Sequence, residues 1–162
     1  MRSVNFFDKM NSKSSHIGLW RYASIFYCAA IKLHKDGEIN IVVYYLYSHA
    51  IELVLKAVLI FRNFQEKDLK KIGHDLIKVW NEAIEIEPSL ANMIKDQEKL
   101  ETILASLNPY YRGKEFEYIK VGFKHFPSIK DVREIIEELL LFIGKIISIP
   151  DSQLNKLKIK CQ

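Results

Sequence analysis

Apolar residues return at three- and four-residue steps along most of the chain, the period of an amphipathic helix. Trp20, Ala23, Tyr27, Ala30, Ile31 and His34 keep that step until Asp36-Gly37 supplies a turn signal, which predicts a first helix from about Ser14 to Lys35. Ile41 to Phe61 is apolar nearly all round, as expected of a helix at the centre of a bundle and hairpinned to the first. A charged stretch from Gln65 to Lys71 then leads to Gly73. Leu76, Ile77, Val79, Trp80 and Ile84 mark a third helix, closed by Pro88 because the residue before a proline disfavours helical angles. Leu90, Met93, Ile94, Leu100, Ile103, Leu104 and Leu107 mark a fourth, predicted to stop at Asn108-Pro109. Ser128, with Asp131 three residues on, has the spacing of a capping box and opens a fifth helix through Ile129, Val132, Ile135, Ile136, Leu139, Leu140, Ile143 and Ile147. The pattern predicts an all-α, up-and-down antiparallel bundle of about five helices, with a long structured loop from Pro109 to Phe126.

The central segment raises the membrane question. Its twelve Leu, Ile, Val and Phe residues would contribute about −4 to −7 kcal/mol in a bilayer, against roughly 2.5–3.5 kcal/mol of cost for Lys56 and a similar amount for Glu52. Ser48, His49 and three tyrosines add to the cost, so a soluble core helix is the better reading and no membrane partner is expected. With 162 residues, six Gly and four Pro, the chain reads as one domain, its core about residues 14–149 and a basic, frayed tail 150–162. The net charge of +4 permits weak attraction to phosphates. Asn5 and Asp8 interrupt any secretory apolar run, and Cys28 and Cys161 suggest neither a zinc site nor a disulfide framework, so a reducing, cytoplasmic setting is expected. No His-x-x-x-His pair, Gly-rich phosphate loop or serine elbow is present, and no metal or cofactor is expected.

Three features stand out as candidate chemistry. On the central helix Tyr45, His49, Glu52 and Lys56 fall on one stripe, where the two charges either bridge each other, pair with another helix or open onto a groove. The solvated edge of a helix is the simplest account of such a stripe. Gly73-His74-Asp75-Leu76 reads as a helix entry in which Asp75 caps and His74 reaches a neighbouring acid. In the long loop aromatics alternate with bases, so Arg112, Lys114, Lys120 and Lys124 could meet phosphates while Tyr110, Tyr111, Phe116 or Tyr118 stack on unpaired bases. Against that, Glu115 and Glu117 dilute the positive field, and loop aromatics commonly pack on the domain that carries them.

Tyr47-Ser48-His49-Ala50-Ile51-Glu52-Leu53-Val54-Leu55-Lys56-Ala57, followed by Gly73-His74-Asp75-Leu76, resembles the HEPN superfamily of small prokaryotic helical proteins. The resemblance covers about Trp20 to Ile147. It implies a helical bundle that commonly forms homodimers and a link to nucleic acid, as a metal-independent RNase or as an inactive binding or partner module, and a purely protein–protein interaction module is the remaining alternative. It also implies a toxin–antitoxin, phage-defence or RNA-processing setting, with a cognate antitoxin or nucleotidyltransferase-like partner. Active members carry an Arg followed four to six residues later by His, whereas here Arg62 precedes His74 by twelve residues and no arginine has a His at that spacing. Any chemistry is accordingly assigned to His74 as acid/base oriented by Glu52, with Asp75 in the cluster and Lys56 or Arg112 holding phosphate. Arg112, Lys114, Tyr118, Lys120 and Lys124 form the candidate nucleic-acid surface.

Overall fold

A computed structural model describes residues 15–118 and 125–160, with side chains to residue 157. The readings made of residues 1–14, of Lys120 and Lys124, and of Cys161 lie outside the described residues.

The first helix, α1 (His16–Leu33), is capped by Ser15, whose hydroxyl accepts from the Gly18 N–H at 2.9 Å. After the turn, where Gly37 takes a positive φ of 81°, Asn40 caps α2 (Ile41–Phe61) through the Val42 N–H. This 21-residue helix is long and apolar enough to cross a membrane, yet it packs against α1, α4 (Leu76–Ile86), α6 (Gln97–Arg112) and α7 (Ile129–Ile146). Val43, Tyr47, Ile51, Val54, Leu55, Val58 and Leu59 are fully enclosed by those neighbours. Each such side chain contributes about 1.5–3 kcal/mol by leaving water, so the apolar run is accounted for by a protein core.

Eight helices are present among the described residues, where about five were expected. The stretch after Gln65, read as a charged connection, is helix α3 (Glu66–Ile72), held by Leu69 and Ile72 against the core and ended by Gly73 at φ 65°. The expected fourth helix is two: α5 (Ser89–Met93) stops at Ile94, which is extended, and Asp96 caps α6 through the Lys99 N–H at 2.9 Å. Pro109, taken as a stop, lies inside α6, which runs on to Arg112. Proline leaves one helical hydrogen bond unmade, but buried Asn108 and Tyr111 on either side of it are anchored to other elements and hold the last turn in place.

The fifth expected helix, α7, starts where predicted, but its capping box does not form. The Ser128 side chain makes no cap bond, and Asp131 instead lies 2.6 Å from the Lys99 ammonium. The tail expected to fray forms α8 (Asp151–Lys160), whose buried Leu154 seats against Gly144. Cys28, which the spacing of the two cysteines gave no reason to pair, is disulfide-bonded.

Candidate functional site

Glu52 sits in the middle of α2 and is only 3% exposed, so its carboxylate must find its partners inside the protein. α2 itself supplies Lys56 one turn on, in direct contact with Oε1. The α3–α4 junction supplies His74, whose Nδ1–H donates to Oε2 at 3.0 Å. The last turn of α6 supplies Tyr111, whose hydroxyl donates to the same Oε2. Burial by itself would raise the Glu52 carboxyl. The bond network with His49, the charge of Lys56 and the bonds from His74 and Lys56 outweigh it and hold the carboxyl down to about 2.

An ionised carboxylate accepts and never donates, which fixes the rest of the network. The Tyr111 hydroxyl gives its proton to Glu52, so its oxygen accepts from His49 Nδ1–H, 2.6 Å away. Both imidazoles therefore carry their proton on Nδ1, leaving Nε2 of each as the basic nitrogen whenever the ring is neutral. Burial, then the charge of Glu52, pushes the Tyr111 phenol far upward, which keeps it a donor at any ordinary pH.

The junction that positions His74 is itself fastened. Lys56 donates to the Gly73 carbonyl at 2.8 Å, and Asp75 caps α4 through the Lys78 N–H at 3.0 Å. Asn108 bridges the same turn, accepting from the Leu76 N–H at 2.7 Å and donating to Asp75 at 3.2 Å. Asp75 also holds Arg112, whose Nη1 is 3.2 Å from Oδ2. A cleft of about 380 Å³ opens beside the cluster, floored by Leu19, Leu53 and Leu69 and edged by Lys56, Lys70 and His74.

Of the residues singled out from the sequence, Glu52, His74 and Lys56 meet in one cluster, with Asp75 and Arg112 at its rim. Lys56 is largely enclosed, spending its donors on Glu52 and Gly73, while His74 is 54% and Arg112 68% exposed in their side chains. Asp75 does not touch Glu52 or His74 through any hydrogen bond among those described; its contacts are with the α4 backbone, Asn108 and Arg112. Lys114 and Tyr118 are exposed beyond the end of α6. Phe116 packs instead with Tyr110 and Phe126. Asn108 and the role of Tyr111 were missed: Tyr111 was read as a stacking platform and Asn108 as a helix stop. His49, noted only as part of the stripe, belongs to the network through Tyr111.

Among the described residues no group of three or more His, Cys, Asp or Glu side chains could hold a metal ion. What the cluster offers is a basic imidazole nitrogen backed by a buried carboxylate, with an exposed guanidinium nearby. No curated protein and no solved structure matches the chain. A family model described as the HEPN domain matches residues 18–151, a span that contains every residue of this cluster, and the chain is a member of the HEPN family.

Proposed function

We propose that this HEPN domain is an RNA-associated module of the toxin–antitoxin or defence type, in which His74 and Arg112 meet the phosphate backbone and Lys114 and Tyr118 extend the contact. The observation that carries this reading is the His74 ring itself: one nitrogen is bonded to the buried Glu52 carboxylate while more than half of the side chain remains exposed. A histidine serving only as a structural fixture has no need of that exposure, and the bond to Glu52 fixes the orientation in which the exposed edge of the ring would meet a phosphate. Partner binding, as a homodimer or to an antitoxin or nucleotidyltransferase-like protein, belongs to the same reading.

A second reading is a divergent metal-independent RNase, and the tautomer favours it. With Nδ1 held by Glu52, the Nε2 of a neutral His74 can take a 2′-hydroxyl proton, while Arg112, steadied by Asp75, stabilises charge on the phosphate. Incubating the protein with a pool of structured and single-stranded RNAs without metal, beside a His74→Ala control, separates the two. Binding without cleavage, weakened in the control, is the expected result. Cleavage by the unaltered chain alone establishes the RNase, and neither binding nor cleavage removes both readings.

A further inference from the structure

A second surface lies where α1 and α8 meet. The two helices border an open groove of about 530 Å³, with Trp20, Ile25 and Leu157 among its apolar lining. Trp20 gives it a fixed floor, because its indole N–H donates to the Leu140 carbonyl at 2.8 Å. Every charged side chain on the lining is basic: Arg21, Lys32 and Lys156. The apolar surface continues along the outer side of α1 through Tyr22, Ile25 and Leu33; Tyr22 and Ile25 are each 61% exposed. The sequence of α1 contains no Asp or Glu to interrupt it.

We propose that this face docks an acidic amphipathic helix of another protein. From Tyr22 to Leu33 the stripe runs for about 16 Å at the rise of an α-helix, the length of three turns of a partner helix. Apolar side chains on one face of that partner would cover Ile25 and its neighbours, and flanking Asp or Glu would meet Arg21, Lys32 and Lys156. A second copy of this chain fits poorly, because a two-fold contact centred here sets those cations against their own duplicates. RNA would satisfy the cations and leave the aliphatic stripe in water. The proposal does not depend on what the Glu52 cluster does.

The test is fluorescence anisotropy of a labelled synthetic helix of roughly 18 residues, leucines on one face and glutamates on the other, titrated with the full chain under non-reducing conditions. A peptide of the same composition, scrambled to destroy the helical period, controls for simple charge attraction. Saturable binding of the amphipathic peptide alone is expected, with affinity lowered about tenfold or more by Ile25→Glu and the salt dependence flattened by Arg21→Glu with Lys156→Glu. All three positions lie on the rim or the outer surface, and circular dichroism verifies that the variants fold. Equal binding of the scrambled peptide, indifference to Ile25→Glu, or self-association of the chain abolished by Ile25→Glu overturns the proposal.

Discussion

His74 Nδ1 and Glu52 Oε2 lie 3.0 Å apart although 22 residues separate them, one on the exposed junction before α4 and the other in the core of α2. The contact joins a solvent-facing imidazole to a carboxylate held by three elements. The same carboxylate supports the fold and orients the exposed ring, so stability and site geometry are coupled through Glu52.

Replacing Glu52 alone exposes that coupling. Glu52→Gln keeps the volume but leaves the enclosed Lys56 ammonium without its counter-charge, and breaking a buried pair on one side costs about 3–5 kcal/mol. Adding Lys56→Met removes the orphaned charge and should recover a large part of the loss. Urea denaturation of the two single variants and the double variant checks this. Additive losses would mean that the pair contributes no coupling.

Acid should weaken the protein through the same residue. The Glu52 carboxyl is held at about 2 in the folded chain, below its value of about 4.3 when unfolded. Between those values the unfolded state binds the extra proton, so the stabilisation is complete above about pH 5 and is lost as pH falls through about 2. A shift of that size corresponds to about 3 kcal/mol. Glu87, lowered by bonds from Ser89 and Arg62, adds to the slope in the same direction. The pH dependence of unfolding should therefore be shallower in Glu52→Gln than in the unaltered chain, and identical slopes would refute the assignment.

What the sequence revealed follows from how local each interaction is. The central helix was legible from end to end because its apolar run has no competing period, and Glu52 with Lys56 stood out as an i,i+4 pair on a greasy cylinder. Asp75 as a cap was likewise local, a side chain reaching its own next turn, whereas Gly73, read as part of a helix entry, also ends the unforeseen α3 with a positive φ. Asn108 and Tyr111 were not legible in their roles, because their partners Leu76 and Glu52 lie 32 and 59 residues away. Those same long-range anchors carry α6 past Pro109 against the local rule. α3 was missed because a seven-residue element with two buried side chains shows almost no period.

Tyr111→Phe tests the relay between His49 and Glu52. The ring still fills its place, but the hydroxyl that accepts from His49 and donates to Glu52 disappears. His49 Nδ1 then loses its partner while Glu52 keeps His74 and Lys56, so the cost should be about 1 kcal/mol, the low end for a lost hydrogen bond to a half-buried group. Nitrogen-15 shifts of the histidine rings should show His49 released from the Nδ1–H tautomer while His74 keeps it through its own bond to Glu52. A His49 spectrum unchanged by the substitution would show that Tyr111 does not set its tautomer.

Gly144 decides whether α8 stays docked. A Cβ at this position would lie 2.6 Å from Leu154 Cδ2 and 3.1 Å from Trp20 Nε1. Trp20 is pinned by its bond to the Leu140 carbonyl, so the element that yields is Leu154, the end of a movable side chain on the last helix. Overpacking costs about 1–3 kcal/mol where the surroundings are rigid and less where one element can lift away. Gly144→Ala should therefore leave the cooperative unfolding of α1, α2 and α7 nearly intact while amide exchange in α8 accelerates strongly. Because α8 forms one wall of the basic apolar groove, the same substitution should weaken the amphipathic peptide without touching Arg21, Lys32 or Ile25. Faster exchange across the whole bundle would instead place Gly144 at a contact the core cannot do without, and an unchanged α8 would show that Leu154 finds another rotamer at no cost.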